Sequence, residues 1–177
     1  MKNLLTIVII SFTMVACSNQ TNYELPLDEY PQNFFNQVSE LPQEIQEKMI
    51  VPTAFPFEIE EPSYHKDETS DGEIILTAID FVSAAEEKTD KIVVHFTTSY
   101  LEGLNKIDEE GAGTLKLDNG IEAKIRKDNE EDKTIIWTND NETFHTLSIL
   151  SRGEKITLEQ LAIIANSMTP VSSSNDY

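Results

Sequence analysis

Between residues 74 and 150 the sequence runs in short stretches of alternating apolar and polar side chains, each closed by a turn signal. A period of two puts alternate side chains on one face of a strand, so this part of the chain must build a sheet and then cover its apolar face. The clearest stretch is TLKLDNGIEAKIR, residues 114–126. Asn119 and Gly120 both tolerate positive φ, which predicts a type I′ hairpin turn. Leu115, Leu117, Ile121, Ala123 and Ile125 form its predicted buried face, and Lys116, Glu122, Lys124 and Arg126 face water. A second hairpin is predicted over 134–150, turning at 139–142, with Trp137 and Phe144 packed together or on a neighbouring strand. Residues 73–84 are apolar on both alternating faces, as in a central strand. Residues 91–100 place Ile92, Val94 and Phe96 on one face.

The flanks change period. Phe34, Phe35, Val38 and Leu41 recur at helical spacing, followed by Ile45 and Met49, and Pro42 suits the first turn of a second short helix. Phe55, Phe57 and Ile59 alternate, but prolines at 52, 56 and 62 confine that segment to an edge or to irregular extended chain. In ITLEQLAIIANSMTP, residues 156–170, Thr157 and Gln160 form a capping box, with Ile156 and Leu161 placed as a hydrophobic staple. Leu158, Leu161, Ala162, Ala165 and Met168 make its predicted apolar face, and Pro170 its stop. The predicted fold is α+β: an antiparallel sheet of about six strands with N-terminal and C-terminal helices packed on one face. Residues 31–170 are the expected single domain, 17–30 a flexible tether and 171–177 a loose tail.

Charge narrows the partners. The chain carries 13 basic and 32 acidic residues, a formal net charge of −19. Nucleic-acid partners need basic patches, so they are excluded on this ground. A face lying flat on anionic lipid is disfavoured for the same reason. Cationic partners fit the charge: metal ions, or a protein or peptide partner with a basic face. The acids cluster at predicted turns and read as solvated loops. No calcium-loop pattern is present, and the run from Asp128 to Lys133 lacks the bending glycine.

Cys17 is the only cysteine. It follows a 13-residue, mostly apolar stretch from Leu4 to Ala16, preceded by Lys2. That stretch is short for a membrane span, which needs about 20 residues, and has the length and flanks of a signal peptide over 1–16. Met14-Val15-Ala16-Cys17 resembles a bacterial lipoprotein lipobox. The resemblance implies cleavage before Cys17, a diacylglycerol on its thiol, and a protein anchored by lipid on the extracytoplasmic face of the cell membrane. A thiol used this way leaves no disulfide and no cysteine metal site.

A second resemblance lies at the other end. Trp137, Leu147, Thr157, Glu159, Leu161, Ile164, Ala165, Ser167 and Met168 follow the closing pattern of an uncharacterised extracytoplasmic domain of Gram-positive lipoproteins and anti-sigma-like proteins. His145 stands where that family tends to have Tyr. The stretch LPQEIQEKMIVPTAFPFEI, residues 41–59, resembles the same domain's entry. The resemblance implies the α+β fold and the surface location, and it carries no catalytic residues.

No nucleophile elbow, phosphate-binding glycine loop, His-Glu-x-x-His or dinucleotide fingerprint occurs. His95 and His145 fall on predicted strands, where they could meet across the sheet with an acid such as Asp80 and bind zinc, which needs three or four ligands. The preferred reading is two surface or half-buried histidines on a sheet face, with no metal and no cofactor. Asn141-Glu142-Thr143 fits a glycosylation sequon by chance. The functional expectation is a non-enzymatic binding or sensing module that uses the sheet face left open by the helices. A carrier holding an apolar ligand or lipid between sheet and helix is the alternative, and an envelope hydrolase the third.

Overall fold

In a computed structural model the alternating segments assemble as one large antiparallel sheet; the structure describes residues 22–87, 90–101, 113–139, 143–153 and 155–174. The chain enters through β1 (Tyr23–Glu24), a 3-10 turn (Leu27–Glu29), α1 (Gln32–Ser39) and α2 (Gln43–Gln46). Pro31 and Pro42 sit at the N-caps of the two helices, where a missing N–H loses nothing. Then follow β2 (Ile50–Pro52), β3 (Ala54–Phe55), β4 (Ser63–Glu68), β5 (Ile74–Val82), β6 (Ile92–Ser99), β7 (Gly113–Lys116), β8 (Glu122–Asp128), β9 (Asp132–Thr138) and β10 (Phe144–Ser151). The chain closes with α3 (Leu158–Asn166), β11 (Met168–Pro170) and a 3-10 turn (Val171–Ser174).

Seven strands form the main sheet in the order β4-β5-β6-β10-β9-β8-β7, one more than the sequence predicts. Two further sheets have two strands each, β1-β3 and β11-β2. The chain is therefore α+β with a large antiparallel sheet, but helices alone do not make its cover. α3 touches β10 of the main sheet and also β2 and β3. Near β4 the ring of Phe34 on α1 meets Tyr64 edge-on, 5.8 Å between centroids. The two small sheets share in the cover, since α3 touches β2 of one and β3 of the other.

One row across the sheet shows the packing logic. Ile79, Phe96, Leu147 and Ile135 are register partners on β5, β6, β10 and β9, and all four are at most 2% exposed. Against them lie Leu161 and Ile164 of α3, both fully buried, in one continuous hydrophobic cluster. The capping box of α3 is present: Gln160 N–H donates to Thr157 Oγ1, and Thr157 N–H donates to Gln160 Oε1.

Several expectations are corrected. The tether expected to 30 gives way at its C-terminal end to folded chain. Tyr23 pairs with Phe55, Leu25 is buried, and Tyr30 is 4% exposed with its hydroxyl donating to the Pro52 carbonyl at 2.5 Å. The tail is tied at Val171, which is buried and donates its N–H to Met49 O. α3 ends at Asn166, before Pro170, because Ser167 turns the chain into β11 and bonds back to Thr53 and Ala54. Of the two alternatives for Trp137 and Phe144, packing together fails because they face opposite sides of the sheet, and packing on a neighbouring strand holds for Trp137, which lies on His145 of β10 and on Phe96.

The first hairpin also turns differently. Gly120 N–H donates to Leu117 O, and Leu117 N–H donates to Ile121 O. The loop is thus three residues, Asp118 to Gly120, with Gly120 at positive φ (86°), in place of the two-residue turn. A Cβ at Gly120 would meet nothing within 4 Å, so its requirement is purely one of backbone. Gly120→Val is expected to destabilise the fold by about 1–2 kcal/mol, since valine resists this region. Urea unfolding checks it, and an unchanged midpoint would refute this turn.

Candidate functional site: the open sheet face

The inner face of the sheet is fixed by its apolar side chains, and the outer face follows from strand parity. Because Ile79 and Phe81 point inward, Ala78, Asp80 and Val82 point outward. Because Val94 and Phe96 point inward, Val93, His95 and Thr97 point outward. On β10, inward Leu147 and Ile149 leave Thr146, Ser148 and Leu150 outside, with Leu150 44% exposed. Among the described residues, the only acids on the outer face of β5, β6, β10 and β9 are Asp80 and Asp132. Asp132 holds Lys127 at 2.7 Å. Hydroxyls and aliphatic side chains make up most of the remainder.

Asp80 sits at the centre of a small polar group. His95 Nδ1 lies 2.5 Å from Asp80 Oδ1, and His65 Nε2 lies 3.5 Å from Asp80 Oδ2. The carboxylate thus meets one imidazole on each oxygen. Ser148 is the register partner of His95, so Asp80, His95 and Ser148 stand in one cross-strand row. The hydroxyl of Ser148 bonds Thr134 Oγ1 at 2.9 Å, and β9 extends the row. An activated nucleophile needs a hydrogen bond to its base, and Ser148 makes its bond away from His95. Among the described residues, no group of three or more His, Cys, Asp or Glu side chains is disposed to hold a metal ion.

His95 and His145 do not meet. His145 pairs with Thr98 and Trp137 on the inner face, on the far side of the sheet from His95. It is fully buried and stacks against Phe96, 5.8 Å between ring centroids. Its two nitrogens bond Thr98 Oγ1 and Thr143 Oγ1, each at 3.0 Å. Thr143 spends its proton on Asn139 Oδ1 at 2.6 Å, so it accepts from His145 Nε2–H. That leaves the Nδ1 lone pair to accept from Thr98. The neutral ring satisfies every polar atom of this group, and burial holds its pKa down at about 4. The burial of Thr143, 2% exposed, also sets the third residue of the sequon inside the fold.

Among the described residues, one buried side-chain polar atom is not satisfied. Tyr64 is 8% exposed and its hydroxyl has no hydrogen-bond partner. Replacing such a group by an apolar one of the same shape removes a desolvation penalty of about 1–3 kcal/mol. Tyr64→Phe is therefore expected to raise stability by about 1 kcal/mol in chemical unfolding; a loss of stability would contradict the unpaired hydroxyl.

Cys17, the predicted lipidation site, lies outside the described residues. Asn141 lies outside them as well. No helix among the described residues is long and apolar enough to cross a membrane. Comparison with protein-family models, curated proteins and solved structures gives no match to this chain. The chain's own residues therefore carry the functional reading.

Proposed function

We propose that this protein is a lipid-anchored, extracytoplasmic binding or sensing module, non-enzymatic, whose open sheet face meets its partner. The lipobox resemblance around Cys17 supports the anchor and the location. The observation that carries the binding reading is a contrast in charge. A chain with 32 acids has, among its described residues, only Asp80 and Asp132 on the outer face of its four middle strands. A surface that must lose its water against a partner is favoured by few charges at its centre. Val93, Thr97, Thr146 and Leu150 give such a surface, and the Asp80–His95 pair gives it one oriented polar mark. Ser148, bonded to Thr134 rather than to His95, favours binding over hydrolysis. The continuous packing of sheet residues against Leu161 and Ile164 favours it over carriage of an apolar ligand.

The test is crosslinking on intact membranes followed by affinity capture, using the wild-type chain and the Thr97→Arg/Leu150→Arg variant. The expected result is a partner recovered with the first and lost with the second, the variant keeping its circular dichroism. No partner above background with the wild type, or undiminished capture with the variant, overturns the binding reading. The anchor is tested separately: Cys17→Ser should abolish diacylglyceryl labelling, and labelling at the wild-type level would refute the lipobox.

A further inference from the structure

Away from the open face, a hollow of about 460 Å³ lies between the entry segment and the chain leading into β4. Leu25 and Ile59 form its floor, 6% and 8% exposed, with Tyr23 half-buried beside them. Glu29, Glu60 and Glu61 stand on its rim, all exposed. Among the described residues no basic side chain lines the hollow, and Lys91, which pairs with Glu60, reaches that carboxylate from the entry to β6. At Pro62 the wall of the hollow becomes β4, the first strand of the main sheet. Among the described residues β4 pairs with β5 alone, so its outer edge presents backbone donors and acceptors that an added strand can use.

We infer that the hollow and the outer edge of β4 together form one docking track for an extended, lysine-rich segment of a partner protein. The apolar floor suits the methylene stem of a lysine, and the carboxylates on the rim suit its ammonium head. The backbone of the same segment adds to β4, fixing direction and register. Charge decides against a second copy of this chain as the occupant. Two β4 edges side by side would bring Asp67 and Glu68, together with the rim glutamates, against their own like, with Lys66 already held by Glu68 at 2.7 Å.

The test uses the full-length Cys17→Ser chain and a labelled synthetic peptide of about ten residues alternating lysine and threonine, with binding read by fluorescence anisotropy. Glu29→Gln/Glu61→Gln should weaken binding about tenfold, while the distant Glu122→Gln/Glu131→Gln, with the same change in net charge, should change it less than about twofold. Methylating alternate peptide nitrogens should weaken binding by about tenfold as well, because strand addition needs those donors. Equal losses for the two double variants would show attraction to the acidic chain as a whole and overturn the proposal. Indifference to methylation would overturn strand addition. Sedimentation showing the chain self-associated, with the peptide dissociating it, would make a second copy the occupant and likewise overturn it. The Thr97→Arg/Leu150→Arg variant should bind the peptide like the parent, so failure of the open-face reading and failure of this one are separable.

Discussion

Acidification from pH 7 to about 4 is expected to remove about 3 kcal/mol of stability through His145 alone. Burial holds the folded ring at a pKa of about 4, against 6.5 for an ordinary histidine. Below pH 6.5 the unfolded chain takes up a proton that the folded chain refuses. The contribution is therefore complete above that pH, declines as pH falls, and is fully lost once pH passes the folded value. The chemistry matches the direction. Thr143 already donates to Asn139 and Thr98 donates to Nδ1, so a second ring proton would require Thr98 to reverse its bond in a site without water access. Urea midpoints measured between pH 7 and 4 should fall for the wild type. They should fall distinctly less for His145→Gln, whatever that variant's starting stability. Equal slopes would show that His145 is not held neutral. The comparison also cancels the carboxylates, whose mutual repulsion weakens on acidification and acts in the opposite direction.

The position of His145 was legible in the sequence through a signal easily passed over. It shares strand parity with Leu147 and Ile149, which are apolar and inward, whereas His95 alternates against Val94 and Phe96 and must point outward. Parity alone separates the two histidines and rules out their meeting. The partners of His145 were not legible, because Thr98 comes from a strand 47 residues away and only register brings it opposite. The same limit hid the Asp80–His95–Ser148 row. Each member sits at an ordinary outward position, and nothing local announces that three strands align them.

Helix signals carried further than turn signals. Thr157 and Gln160 act through bonds within four residues, so their capping box is readable directly and is present. Asn119-Gly120 specifies that a turn exists but leaves its length open. Leu117 decides that, since it is 2% exposed and its N–H pairs with Ile121 O, which sets the loop at three residues. The two small sheets left almost no trace, because pairs of two and three residues are too short to establish a period. β2 and β11 are joined by tertiary contact: Ser167 and Thr53 hold them in register from 114 residues apart.

The entry segment is the strongest case of tertiary structure overriding local composition, and Tyr30→Ala is expected to expose it. Residues 18–30 are polar, proline-containing and without period, which predicts tether. Yet Tyr30 packs on Phe34 at 5.0 Å and on Phe81 at 6.4 Å between ring centroids, bridging α1 to the inner face of β5. Removing a buried aromatic ring costs about 3–5 kcal/mol, and the Pro52 carbonyl would lose its 2.5 Å partner in addition. Tyr30→Phe separates the two contributions: it keeps the ring and should cost only about 1 kcal/mol for the lost hydrogen bond. Chemical unfolding of the two variants gives both numbers. If Tyr30→Ala unfolds like the wild type, the segment is the tether its composition implies, and Leu25 and Tyr23 leave the hollow beside β4 with it. If it unfolds as expected, the folded unit starts before residue 31, and a chain truncated to begin there lacks one wall of that hollow as well as part of its core.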